Sequence, residues 1–473
     1  MLVIVADDHA ANAVGCYGGP HRVTPQIDRI AREGIRFDAC SCTNSLCSPS
    51  RATILTGTYN HVNGVTTLST EFDARQPVFP GLLRDAGYRT ALIGKWHLGH
   101  GAEHDPRGFD HWEVLPDQGD YHDPEFLTMD GGSHVRPGYA TDLITDLSLD
   151  WLDSTGDEPW CLLVQHKAPH RPWEPAERHR TLFDDVEIAM PETFFDDYED
   201  RAEAARAARM RVARDLNAED LKAEPPSQLD PVERAHWAFR RYLVDYLRCV
   251  VAVDEGVGRL LAHLDATGQA DDTIVVYTSD QGFFLGEHGW YDKRFMYAES
   301  LQMPLLVRYP PIIEPGSTSE ALVLNVDFAQ TFLDLCGVEP DPRMQGRSML
   351  PLLQGRDPEE VGWRTSTYYR YWEHLDGSHH VAAHRGIRTR DRKLVHYYGS
   401  GCGQPGASTQ EIAPEWELFD LQADPQEMRS VYHDPAYAED LRQLSTELDQ
   451  LAKEIGDDLP PTLSATTPTK ESP

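Results

Sequence analysis

Leu2-Val3-Ile4-Val5-Ala6-Asp7-Asp8 is an unbroken apolar run closed by two adjacent carboxylates. Five apolar residues without alternation read as a strand buried on both faces, and the paired acids mark its carboxyl end. Thr90 to Ile93, Trp160 to Gln165, Thr273 to Thr278 and Met303 to Arg308 repeat the form, each followed by polar residues of catalytic type, with helical stretches between them. This alternation predicts an α/β fold built on a large, mainly parallel sheet flanked by helices, with its ligand site beyond the carboxyl ends of the strands.

A second informative stretch is Cys47-Ser48-Pro49-Ser50-Arg51-Ala52-Thr53-Ile54-Leu55-Thr56-Gly57. Ser48 suits an N-cap, Pro49 the first helical position and Gly57 the end of a helix. Residue 47 then stands at a helix N-terminus, where free N–H groups favour an anion, and Arg51 lies one turn in. Taken alone, the run also fits a capped helix with a buried cysteine.

The run resembles the signature of the formylglycine-dependent sulfatases, an alkaline-phosphatase-like family. The resemblance implies that Cys47 is oxidised to formylglycine by a formylglycine-generating enzyme. A hydrated aldehyde attacks sulfur with one hydroxyl and expels sulfate with the other, whereas a serine or thiol would remain sulfated. Gly94-Lys95-Trp96-His97-Leu98-Gly99 is a second match. It implies that Lys95 binds a sulfate oxygen and that His97 removes the second diol proton. His166-Lys167-Ala168-Pro169-His170-Arg171-Pro172 resembles the segment supplying the leaving-group acid, assigned to His170. Lys293, in the run Gly286 to Arg294, is the remaining family lysine, and Arg51 steadies the modified side chain.

Asp7 and Asp8 follow one strand, and Asp280 and Gln281 follow another, so two strand ends offer oxygen donors to one ion. The resemblance assigns Asp7, Asp8, the modified Cys47, Asp280 and Gln281 as ligands. Hard oxygens suit Ca²⁺, with Mg²⁺ as the alternative. Many members of the family have Asn or His where Gln281 stands, and glutamine reaches one methylene further.

Asp292 and Arg294 flank Lys293 and suit vicinal sugar hydroxyls, although a structural ion pair fits them too. His384 is a further expected substrate contact, in a region that also holds His379 and His380. The overall pattern looks more like carbohydrate sulfatases of the N-acetylglucosamine-6-sulfatase or mucin-desulfating type than like aryl sulfatases. A phosphodiesterase or phosphonate monoester hydrolase of the same superfamily is the alternative enzyme, and a non-catalytic anion-binding protein the alternative of another class.

The 473 residues divide into an expected catalytic unit, 1–362, and a small C-terminal α+β unit, 363–458, with an antiparallel sheet and a helix near Ala436 to Ile455. Residues 198–223 read as an exposed helical insertion, and 459–473 as a disordered tail. The eight cysteines form no CxxC pair. A net charge of −34 argues against nucleic acid or an anionic membrane as partner. A sulfated substrate is then repelled at long range, so the pocket must supply its own positive charge. No run approaches the roughly 18 apolar residues of a membrane span, and the chain enters a strand without a basic leader, so the expected location is cytoplasmic. Oligomeric state is not legible.

Overall fold

The structure is a computed structural model describing residues 1–101 and 103–457. The tail expected at 459–473 lies outside the described residues.

Ten strands form one mixed sheet in the order Ser317–Ser319, Ile35–Phe37, Leu305–Arg308, Val275–Ser279, Leu2–Ala6, Trp160–Gln165, Arg89–Lys95, His111–Leu115, Glu125–Thr128 and Ser133–Val135. The five strands from Val275–Ser279 to His111–Leu115 run parallel. Leu305–Arg308 lies antiparallel beside them. Leu2–Ala6 is central and buried along its whole length, as an all-apolar strand covered on both faces must be.

Helix Ala140–Asp153 covers the strands Trp160–Gln165 and Arg89–Lys95 and packs on the 36-residue helix Pro231–Ala266. That long helix starts where the sequence places its stop and start signals. Asp230 accepts from the Val232 and Glu233 amides, Glu233 reaches back to the Asp230 N–H, and Pro231 takes the first turn. Among the described residues no helix is long and apolar enough to cross a membrane.

A separate four-stranded antiparallel sheet, Ser366–Tyr371, His384–Thr389, Arg392–Tyr397 and Glu415–Asp420, carries helix Ala438–Ile455. Leu444, Leu448 and Ala452, spaced by four, form the helix face that joins Tyr368, Ile387, Leu394 and Leu418 in a second small core.

Two local expectations need correction. The helix after the first cysteine cluster is Cys47–Thr56, preceded by Leu46, so Ser48 lies inside its first turn and does not cap it; Gly57 does end it, at φ +62°. Residues 198–223 are not an exposed helical insertion: they hold only the short helices Glu203–Ala207 and Ala218–Leu221, and Ala204, Ala205, Ala208, Met210 and Val212 are buried. The alanines that raise helix propensity are used here as small packing residues. The strand His384–Thr389 is Arg-rich and carries no apolar alternation, so periodicity does not mark it.

Candidate active site

Four neighbouring parallel strands deliver the polar groups to one edge of the sheet. Asp280 and Gln281 follow Val275–Ser279, Asp7 and Asp8 follow Leu2–Ala6, His170 follows Trp160–Gln165, and Lys95 ends Arg89–Lys95 with His97 just beyond. Helix Cys47–Thr56 brings the cysteine and Arg51 to the same place. Asp7, Asp8, Lys95, Asp280 and Gln281 are fully buried, and Cys47, Arg51 and Lys293 nearly so.

One oxygen each of Asp7, Asp8 and Asp280 lie within 4.8 Å of one another. Asp7 Oδ1, Asp8 Oδ2 and Gln281 Oε1 are buried and accept no hydrogen bond from the protein. Orphaned buried oxygens that converge are what a hard cation requires. Gln281 donates its amide to Asp8, which leaves its buried oxygen without a donor and free to act as a ligand. The residues present therefore fit a Ca²⁺- or Mg²⁺-type ion.

Cations surround the carboxylates. Lys95 pairs with Asp7, Arg51 Nε with Asp280 Oδ2 at 2.9 Å, and Lys293 Nζ with Asp8 Oδ1 at 2.5 Å. Lys293 Nζ is also 3.4 Å from Cys47 Sγ. Burial pushes the Asp8 carboxyl up to about 7 against the pull of Lys293, and burial with the Asp7 charge lifts Asp280 to about 6. Burial also pushes the Cys47 thiol up to about 12. An unmodified thiol here stays protonated and is a poor nucleophile.

His170 Nδ1 lies 2.6 Å from the Arg171 carbonyl, so Nδ1 carries a proton and Nε2 is the nitrogen turned inward, 3.8 Å from Asp8 Oδ2. One atom each of Asp7, Cys47 and His170 fall within 4.8 Å of one another. His97, at φ +55°, sits with Nδ1 3.4 Å from Ser48 Oγ. Burial, and then the Lys95 charge, hold both imidazoles well below the usual range.

Asp292 and Arg294 are ion-paired at 3.3 Å, and both adopt left-handed backbone, at φ +73° and +96°. Such conformations are costly for non-glycine residues and persist where surrounding structure imposes them. The C-terminal unit imposes them here: Tyr369 Oη donates to the Arg294 carbonyl at 2.6 Å, and Arg294 Nη1 reaches Tyr371 and Glu373. His379 Nε2 lies 3.4 Å from Asp292 Oδ2, with its Nδ1 3.0 Å from Asp376. At His384, the other expected contact, the ring is packed among Phe295, Tyr369, Tyr371 and Tyr397, with Nδ1 at the Ala382 carbonyl and Nε2 buried without a partner. The histidine of this region that joins Asp292 is His379.

The sulfatase family model matches residues 1–338, and that of the N-sulphoglucosamine sulphohydrolase C-terminal region matches 286–454. This chain belongs to the sulfatase family. It is a hydrolase of sulfuric esters. The sulfatase is 43% identical, over 97% of its length and 87% of the relative's, to an N-acetylglucosamine-6-O-sulfatase of Bacteroides thetaiotaomicron. The human N-acetylglucosamine-6-sulfatase is 30% identical over 72% of this chain and 62% of its own. A solved structure described as BT4656 in complex with its substrate D-glucosamine-2-N,6-O-disulfate superposes with a TM-score of 0.90, at 42% identity, over 98% of this chain and 99% of that one. A phosphonate monoester hydrolase from Silicibacter pomeroyi, at 23% identity and a TM-score of 0.75, shares the fold.

Proposed function

We propose that this sulfatase removes the 6-O-sulfate of a glucosamine-type sugar, using formylglycine formed from Cys47 and a divalent cation, Ca²⁺ in preference to Mg²⁺. The observation that carries the sugar is the near full-length 43% identity to an N-acetylglucosamine-6-O-sulfatase. The buried cluster of Asp292, Arg294 and His379 beside Lys293 supports it, since carboxylate, guanidinium and imidazole suit sugar hydroxyls.

Asp7, Asp8, Asp280, Gln281 and residue 47 would hold the cation, which supplies positive charge for the sulfate oxygens. The formylglycine hydrate supplies one hydroxyl for attack on sulfur and a second for release of sulfate. Lys95 and Lys293 bind sulfate oxygens, and Arg51 steadies the helix start where residue 47 lies. Their charge is in place before the substrate arrives, so little reorganisation accompanies the shift of charge toward the leaving oxygen. Asp280 accepts the proton of the attacking hydroxyl. His170, with Nδ1–H held by the Arg171 carbonyl, donates from Nε2 to the departing sugar oxygen once that nitrogen has taken up a proton to form the imidazolium, and His97 accepts the second hydroxyl proton.

The test is sulfate release from a panel of sulfated monosaccharides, an aryl sulfate and a phosphonate monoester, using protein coexpressed with a formylglycine-generating enzyme and supplied with Ca²⁺. Release from 6-sulfated N-acetylglucosamine that is lost in Cys47→Ala supports the reading. Release from another sugar only overturns the substrate. Hydrolysis of the phosphonate alone overturns the sulfated-sugar assignment itself.

A further inference from the structure

The loop after strand His111–Leu115 carries Gln118, a half-buried residue touching two of the groups above. Its Oε1 accepts from Lys95 Nζ at 2.5 Å, and its Nε2 lies 3.1 Å from His97 Nε2. An ammonium offers only N–H bonds, so the carboxamide oxygen must be the atom that faces Lys95; the flipped amide would set donor against donor. The amide nitrogen then faces His97, and a donor on that side requires a lone pair on Nε2. A neutral imidazole has one lone pair and one N–H, so the proton sits on Nδ1. Nδ1 is turned to Ser48 Oγ, next to Cys47.

We infer that Gln118 is a positioning residue that ties the tautomer of His97 to the ammonium of Lys95, presenting His97 to the helix start at Cys47 as a hydrogen-bond donor. Its catalytic consequence rests on the proposed sulfatase reaction. A sulfate ester presents only acceptor oxygens, and the resting His97 meets them with an N–H. The lone pair on Nε2 is held by the Gln118 amide, so the nitrogen facing residue 47 can accept a proton only after Gln118 turns away and the Nδ1 proton has moved to Nε2. The Lys95 ammonium donates to Asp7 and to Gln118, and its third N–H is left for a sulfate oxygen.

The experiment is nitrogen-15 histidine labelling of the full chain, with the His97 signal identified by its loss in His97→Ala and its tautomer read from long-range proton–nitrogen couplings. Wild type should carry the proton on Nδ1. Gln118→Leu, similar in volume, should move it to Nε2, the tautomer that unconstrained histidine prefers. Gln118→Glu keeps an acceptor for Lys95 and turns the His97-facing atom from donor to acceptor, so it should also move the proton to Nε2. An Nε2–H ring in wild type, or Nδ1–H in both variants, overturns the inference. These readings need no turnover, so a chain that releases no sulfate counts against the proposed function and leaves this inference standing or falling by the spectra. In active enzyme, Gln118→Leu should lower kcat on the order of tenfold with KM changed less than about threefold. A rise in KM at unchanged kcat would make Gln118 a substrate contact and overturn the positioning role.

Discussion

The Lys293 ammonium nitrogen stands 3.4 Å from the sulfur of Cys47. The two residues are far apart in sequence and meet because a helix N-terminus and the loop beyond the sheet edge converge. Burial alone would discharge such a lysine, but the Asp8 carboxylate holds its pKa well above the usual value. A permanent positive charge is thereby fixed beside the residue proposed to be the nucleophile.

Removing that charge has a direct consequence. Lys293→Ala should lower kcat for sulfate release by about a hundred- to thousandfold, the range found when one preorganised electrostatic contact is deleted. Steady-state kinetics on the preferred sulfated sugar checks it, and retention of more than half the wild-type kcat would sink the role.

Cation binding should be visible as stability. Asp7, Asp8 and Asp280 are buried carboxylates held together against mutual repulsion, so a bound ion should favour the folded state in proportion to its saturation. Chelation should lower the melting temperature, Ca²⁺ should restore it, and Asp7→Asn should abolish the response. A Ca²⁺-independent melting temperature in the wild type counts against the site.

Asp292 separates recognition from chemistry. Its carboxylate meets His379 and Arg294, whereas sulfate is assigned to Lys95 and Lys293. Asp292→Asn should therefore reduce kcat/KM on a sulfated sugar on the order of a hundredfold, about 3 kcal/mol, while affecting an aryl sulfate several-fold less. Equal losses on both substrates would return Asp292 to a purely structural ion pair.

A pH effect on stability is expected from a carboxyl outside the catalytic cluster. Asp254, on helix Pro231–Ala266, accepts from the amides of Gln26 and Ile27 at 2.9 and 2.8 Å, yet burial raises its carboxyl to about 7. A folded pKa above the unfolded one means that the contribution is full below about pH 4 and is lost as pH rises through 7. Asparagine keeps an acceptor oxygen without the charge. Asp254→Asn should gain on wild type between pH 4 and pH 8, by at most about 4 kcal/mol, as measured by urea unfolding. Parallel pH dependence of the two proteins would refute the assignment.

Much of the site was legible because its motifs are local. CSPSR, GKWHLG, the Asp7-Asp8 pair and Asp280-Gln281 each stand at a strand end or helix start. The substrate side was less legible. His384 and His379 lie five residues apart in one histidine-rich stretch, and only packing distinguishes the ring buried among four aromatic rings from the ring against Asp292. Gln118 carried the same cue as the others, a polar residue soon after a buried strand, but one glutamine in a loop has many possible partners.

The sequence by itself determined five adjacent strands of the ten-stranded sheet, Leu305–Arg308, Val275–Ser279, Leu2–Ala6, Trp160–Gln165 and Arg89–Lys95, with the chemical kind of the polar groups at their ends, because burial pattern and residue type are written along the chain; the outer five strands carry no such apolar run. Only the tertiary structure decided which groups meet. The distance from Lys293 to Cys47, the orphaned oxygens of Asp7, Asp8 and Gln281, and the placement of Gln118 between Lys95 and His97 depend on how separate segments close on one sheet edge. Local periodicity carries no information about such contacts; the packing of the whole chain does.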